Sequence, residues 1–315
     1  MTEPIIAVAG PTASGKTELA VRLASELHGE ILSADSRQVF RGMDIGTGKD
    51  LASYTLPDGS AIPYHLIDIA DAGSAFDVFK WQKAFNEAYR SVNERGKRAI
   101  LVGGSGLYLE TALKGVTLSK APVNTTLRSE LEHLSAEDLC TILRRFPGKT
   151  EIKDPNNKRR LVRSIEIATY EAHSNQTTER SNKPLPYILL LIDLPKEERI
   201  NRIHSRLQKR LSAGLIEEVE ALLQSGVPEQ TLINYGLEYK YITLFLTGEL
   251  SKEEAITRLE IAIRQFAKRQ MTWFRGMERR GFTLHPIDGR KPIEAQLQQA
   301  LNAIANAPTF PKEKE

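Results

Sequence analysis

The stretch Gly10-Pro11-Thr12-Ala13-Ser14-Gly15-Lys16-Thr17 decides how this chain is read. It fits the pattern G-x-x-x-x-G-K-[ST], and its flanks are the ones that pattern needs. Ile5 to Ala9 before it is an apolar run that predicts a buried strand. Thr17 to Leu27 after it places Leu19, Ala20, Leu23, Ala24 and Leu27 at helical spacing, with Gly29 as a stop. In a loop of this kind the glycines let backbone N–H groups approach phosphate oxygens, Lys16 adds a point charge, and the helix dipole adds to it. Gly10 to Thr17 is therefore the candidate anion site, with the Thr17 hydroxyl placed to reach Mg²⁺. Which polyphosphate it holds stays open, because a nucleoside triphosphate and an allylic diphosphate offer the same oxygens. In a kinase the terminal phosphoryl leaves; in a prenyl transferase the diphosphate itself is the leaving group.

Outward from the loop, short apolar runs alternate with amphipathic segments, the pattern of βαβ units. Glu30 to Ala34, His65 to Ile69, Ala99 to Val102 and Tyr187 to Asp193 join Ile5 to Ala9 as predicted strands, and Phe76 to Arg95 as a predicted helix. The fold class is α/β, a P-loop-like, doubly wound parallel sheet. Between residues 116 and 186 strand signals vanish and polar helical segments alternate with breakers such as Ala121-Pro122, Pro147-Gly148 and Asp154-Pro155. This predicts a core of residues 1–115 and 187–315 interrupted by a mainly helical insertion, 116–186. Ser174 to Pro186 is expected as the loop returning to the sheet. After Asp193 the chain is expected to be helical, including Lys196 to Ala213, Ile216 to Gln224 and Ser251 to Arg280, with a frayed tail from Ala307.

Composition narrows the class. The chain has 315 residues, 41% hydrophobic and 26% charged, near the soluble globular averages, and no apolar run long enough to span a bilayer. The start Met1-Thr2-Glu3-Pro4 lacks a basic n-region, so no export signal is expected. Cys140 has no internal partner and the six histidines lack metal-ligand spacing, which points to a reducing cytoplasm and no structural zinc. A net charge of +3 is too small by itself to argue for a nucleic-acid partner.

Ser33-Ala34-Asp35-Ser36-Arg37-Gln38-Val39-Phe40-Arg41-Gly42-Met43-Asp44-Ile45-Gly46-Thr47-Gly48-Lys49 follows the second predicted strand. Asp35 thus lies at a carboxyl end, where open α/β sheets place ligands. It is a candidate base, while Asp-Ser is equally a turn cap. This stretch together with the phosphate loop resembles the tRNA dimethylallyltransferases, which carry GPTASGKT followed by DSxQxYRGMDIGT; Phe40 replaces the usual tyrosine. The resemblance continues at Gly103-Gly104-Ser105-Gly106-Leu107-Tyr108, at Asp154 to Glu166, at Gly214 to Val219, and at Arg264 to Arg275, close to RQYAKRQLTWFR.

The resemblance implies a P-loop core with a helical insertion, and transfer of a dimethylallyl group from its diphosphate to N6 of an adenosine beside the anticodon of tRNA. It implies Asp35 as acceptor of the N6 proton, and Lys16, Thr17, Arg206 and Mg²⁺ around the departing diphosphate. It implies tRNA contacts at Asp35, Ser36, Arg37, Gln38 and Ser105, and at Arg159, Arg160 and Arg163 in the insertion. A cytoplasmic monomer is expected. From the residues alone, Arg206 on its basic helix and Lys158-Arg159-Arg160 with Arg163 also fit solvated faces. A further cluster, Arg264, Lys268, Arg269, Arg275, Arg279 and Arg280, shares a predicted helix with Phe266, Trp273 and Phe274, which are expected in the core.

The pattern is broken in three places: Glu238 stands where the family has a glycine, Gly48-Lys49-Asp50 where Ala-Lys-Pro is common, and Asp71-Ala72-Gly73 where Asp-Pro is common. The loss of glycine at 238 is expected to remove backbone freedom or a close approach. Rival readings are a prenyltransferase acting on free adenine nucleotide, a P-loop small-molecule kinase, and a non-catalytic RNA-binding protein with a relic loop. The long basic insertion argues against the first, and intact Lys16, Thr17 and Asp35 against the last.

Overall fold

The computed structural model describes residues 3–56, 58–116, 118–148, 152, 154–173 and 183–308. Its strands are β1 (Ile5–Ala9), β2 (Gly29–Ser33), β3 (Phe40–Arg41), β4 (Tyr64–His65), β5 (Ala70–Asp71), β6 (Arg98–Gly103), β7 (Tyr187–Asp193) and β8 (Leu284–Asp288). Its helices are α1 (Lys16–Glu26), α2 (Val78–Glu94), α3 (Gly106–Lys114), α4 (Thr125–Glu132), α5 (Ala136–Arg144) and α6 (Lys158–His173), then α7 (Lys196–Ser212), α8 (Leu215–Gln224), α9 (Glu229–Tyr235), α10 (Leu237–Leu246), α11 (Lys252–Arg279) and α12 (Ile293–Ala305).

Six strands form one sheet in the order β4-β2-β6-β1-β7-β8, and every pairing is parallel. Ile6 sits opposite Ile100 on one side and Ile188 on the other. Successive side chains enter opposite cores: Ile5, Ala7 and Ala9 share one cluster with Leu101, Leu189 and Phe274, whereas Ile6 and Val8 join Leu19, Ile100 and Leu190. Both faces are covered, which is why these strands read as unbroken apolar runs.

The strand expected at His65 to Ile69 is shorter, and stops because Leu66 and Asp68 adopt left-handed φ of 68° and 55°. Ala70–Asp71 then pairs with Phe40–Arg41 in a separate two-stranded parallel sheet. The expectation that everything after Asp193 is helical is corrected by β8, which pairs only with β7. Pro286 is tolerated there because an edge strand leaves one side of its backbone unpaired.

Two compact units divide the chain: Met1–Gly115 with Pro184–Glu315, and Val116–Lys183. The second unit holds α4, α5 and α6, no strand among its described residues, and its own core of Leu131, Leu139, Cys140, Leu143, Leu161, Ile165 and Ala168. Most of the expected return loop, 174–182, and most of the expected frayed tail, 309–315, lie outside the described residues.

Candidate active site

The carboxyl ends of β1, β2 and β6 point into one cleft of about 730 Å³, the location at which open parallel sheets bind ligands. After β1 the chain turns through Ala13 (φ 63°) and Gly15 (φ 86°), so that α1 starts directly on the cleft with no side chain capping its N-terminus. The first-turn N–H groups have no intrahelical partner and are available to an anion. Thr12 to Thr17 line the cleft, and the buried Ser14 hydroxyl has no hydrogen-bond partner among the described residues.

Two side chains far away in sequence shape this loop. Gln270, buried on α11, accepts the Thr12 N–H at 2.8 Å and donates to the Gly104 carbonyl at 2.9 Å, tying the phosphate loop to the β6–α3 turn. Arg206 on α7 donates to the Thr12 hydroxyl. Burial, followed by the charge of Arg206, pulls Lys16 down to about 8, while Asp35 acts in the opposite direction. Burial and then Arg210 bring Arg206 down to about 10. Cations brought this close favour a polyanion between them.

Asp35 follows β2 and lines the same cleft. Its Oδ1 accepts the N–H groups of Arg37 at 2.8 Å and Gln38 at 3.3 Å, so it does cap a turn; Oδ2 has no partner among the described residues. Gln38 accepts from the Ser33 hydroxyl at 2.9 Å and donates to the Gly48 carbonyl at 3.0 Å. Arg37 donates to the Asn234 carbonyl at 3.0 Å, and its guanidinium lies 5.7 Å from the Tyr235 ring centroid. Ser105, at the N-cap of α3, makes no capping bond and faces the cleft, as does Ser36. The tight turn around Ser105 has a packing reason: a Cβ on Gly103 would fall 2.2 Å from the Ala34 carbonyl oxygen, and one on Gly106 would fall 2.1 Å from Trp273.

The segment 44–50 closes one wall. Glu218 on α8 accepts three consecutive backbone N–H groups, of Asp44, Ile45 and Gly46, at 2.7, 2.7 and 2.9 Å. The buried Tyr239 hydroxyl donates to the same carboxylate at 2.7 Å, and burial followed by that carboxylate pushes its pKa far up. Lys49 is 1% exposed and donates to the Phe40 carbonyl, Asp44 and Asp68, an ionic knot that offsets its desolvation. No sequence spacing pointed to Glu218, Gln270 or the Lys49 knot; Gln270 and Glu218 sat inside matched motifs, which was the one available signal.

Elsewhere, the second unit holds Arg159, Arg160 and Arg163 on α6. Arg159 is exposed, Arg160 pairs with Asp154, and Arg163 donates to the Ala121 carbonyl at 2.8 Å and to Glu166 at 3.1 Å. Glu166, also bridged by Arg128, is buried within this network. Of the aromatics expected in the core, Phe274 is fully buried and Trp273 donates to Glu110 at 2.7 Å. Phe266 is a correction: it is 39% exposed and lines the cleft, because the buried stripe of α11 runs through Ile263, Ala267 and Met271 instead.

A parallel sheet with an uncapped, lysine-bearing loop between β1 and α1 defines a P-loop-like protein. The sequence profile of the family described as IPP transferase matches residues 38–277. The chain belongs to that family, and is an enzyme. It is 49% identical over 300 residues to tRNA dimethylallyltransferase 2 of Bacteroides fragilis strain YCH46, covering 94% of this chain and 97% of that protein. The crystal structure of the full-length tRNA isopentenylpyrophosphate transferase of Bacillus halodurans is 31% identical, with a TM-score of 0.69 over 96% of each chain. A eukaryotic dimethylallyltransferase acting on tRNA shares the fold at 23% identity, with a TM-score of 0.77 over 99% of this chain and 82% of that one.

Proposed function

We propose that this protein transfers a dimethylallyl group from dimethylallyl diphosphate to N6 of an adenosine next to the anticodon of tRNA, releasing diphosphate. The observation that carries the reading is a single cleft that presents the uncapped α1 terminus, Lys16 and Arg206 together with a carboxylate, Asp35. In the reaction the bond between the prenyl carbon and the diphosphate oxygen breaks, its electron pair leaves with the diphosphate, and a bond from N6 to that carbon forms. N6 then sheds a proton to Asp35 Oδ2, a reading supported by Asp35 lining the cleft. Lys16, Arg206 and the α1 N–H groups stabilise the charge that gathers on the leaving oxygens.

Thr17 is the residue that would hold Mg²⁺. No group of three acidic, histidine or cysteine side chains that could hold a metal occurs among the described residues, so a cation here would take most of its ligands from phosphate oxygens and water. That is the coordination magnesium favours, and the ion would supply charge to the leaving diphosphate.

On the acceptor side, Ser36, Arg37, Gln38 and Ser105 would meet the target nucleotide, extruded from its stack to reach the cleft. In the helical unit Arg159 is free to meet RNA phosphates, and Arg160 and Arg163 would do so alongside their ion pairs. No helix among the described residues is long and apolar enough to cross a membrane. The test is transfer of label from radiolabelled dimethylallyl diphosphate to unmodified tRNA, with AMP as a parallel acceptor. Label in tRNA alone supports the reading, and label in AMP alone refutes it.

A further inference from the structure

Two positions at which the sequence departs from the family pattern, Gly48 and Glu238, are distant in the chain and meet at one side chain. Arg210 lies on α7, one turn beyond Arg206, and is only 9% exposed. Its Nη1 donates to the Gly46 carbonyl at 3.3 Å and to Glu238 Oε1 at 3.2 Å. Its Nη2 fills the space that a side chain at position 48 would need, since a Cβ there would fall 1.7 Å from it. A buried guanidinium requires a carboxylate to offset its desolvation, and Glu238 provides one. Glu238 sits in the first turn of α10, where its backbone is helical and needs no glycine freedom. Both departures thus meet at one guanidinium, and Gly48 also has a left-handed φ of 64°.

We propose that Arg210 is a second guanidinium of the phosphate site, acting beside Arg206, and that Glu238 and Gly48 are positioning residues that hold it there. Positions 206 and 210 fall on the same face of α7, and both side chains line the cleft with Lys16. The charge of Arg210 is felt at Lys16 and at Arg206, in each case disfavouring the cation until an anion arrives. Glu238 supplies the counter-charge meanwhile. This assignment rests on the reading of the cleft as a diphosphate site.

The test is titration of the full chain with inorganic pyrophosphate at several salt concentrations, with melting curves to confirm folding. Arg210→Met is expected to weaken binding by about ten-fold or more and to flatten its salt dependence. Arg210→Lys keeps the charge and is expected to retain the salt dependence with weaker binding. Adding Glu238→Gly to Arg210→Met should restore part of the loss, because no stranded carboxylate then repels the anion. Gly48→Ala, at a φ of 64°, should weaken binding strongly in the native background and by no more than its backbone cost once Arg210 is methionine. Gly42→Ala, at a φ of 71° with nothing within 4 Å, calibrates the purely backbone cost of an alanine. Binding by Arg210→Met within about two-fold of native, with an unchanged salt dependence, would overturn the assignment, as would additive effects of Gly48→Ala and Arg210→Met. If the native chain binds pyrophosphate in this Arg210-dependent way yet prenylates no tRNA, the proposed function fails and the Arg210 assignment stands.

Discussion

Replacing Asp35 by asparagine separates two roles that one side chain combines. Oδ1 holds the turn after β2 by accepting the Arg37 and Gln38 N–H groups, and Oδ2, without a partner among the described residues, is the proposed proton acceptor. Asp35→Asn keeps an oxygen that can accept the two turn bonds and removes the proton acceptor, whereas Asp35→Ala removes both. Two such bonds at a half-exposed turn contribute about 1–3 kcal/mol together, each being worth roughly 0.5–1.5. For a unit of this size that corresponds to a melting shift of about 2–12 °C in the alanine variant, and little shift in the asparagine variant. Loss of a general base costs about 10²- to 10⁴-fold in rate, or roughly 3–5 kcal/mol of barrier. The assay is single-turnover transfer of labelled dimethylallyl diphosphate at saturating tRNA, with tRNA binding and thermal melting measured on the same samples. The asparagine variant should melt like the native protein, bind tRNA like it, and transfer at least about 100-fold more slowly. Transfer within about five-fold of native would refute the base assignment, and so would a loss of tRNA binding as large as the loss of rate.

Lys16 titrates near 8, because burial and Arg206 disfavour its charge, and a bound anion raises that value. Pyrophosphate affinity should therefore fall as pH rises past about 8, approaching ten-fold per pH unit, and Lys16→Met should remove that component of the slope in a calorimetric titration; equal slopes would contradict it. Arg159→Ala should weaken tRNA binding and lower the slope of log affinity against log salt by about one without changing the melt, whereas Arg163→Ala should lower the melt by removing its bonds to Glu166 and to the Ala121 carbonyl. Burial raises the Glu166 carboxyl, but bonds from Arg128, Asn124 and Arg163 outweigh it and hold it down at about 2, below its ordinary 4.5. The stability this supplies is complete above about 4.5 and lost as pH falls towards about 2, so Glu166→Gln should flatten acid unfolding of the helical unit in that window. Glu218→Ala frees three backbone N–H groups, and hydrogen exchange at Asp44, Ile45 and Gly46 should rise selectively; exchange spread evenly over the core would argue against the clamp.

Much of the fold could be read from the chain because its strands are buried on both faces and its first loop has a fixed chemistry. Ile5 to Ala9 and Tyr187 to Asp193 were legible to the residue, as apolar runs bounded by glycine or proline. Leu284–Asp288 was not, since a five-residue edge strand containing Pro286 carries neither a long apolar run nor an alternation. The end of β4 depends on left-handed backbone at Leu66 and Asp68, residues whose side chains do not announce it. In the site, Thr12 to Thr17 and Asp35, which line one cleft, were visible because their spacing is local. Gln270, Glu218 and the Arg210–Glu238 pair were not, because they act across 258, 174 and 28 residues of chain and only the packing of α7, α8, α10 and α11 brings them in.

The most direct test of the account is mass spectrometry of the nucleosides of unmodified tRNA after incubation with the protein, Mg²⁺ and dimethylallyl diphosphate. The account predicts adenosine carrying a dimethylallyl group on N6, recovered from the anticodon-loop fragment, and its disappearance with Asp35→Asn. Unmodified adenosine throughout, from a protein that binds both substrates, would contradict it.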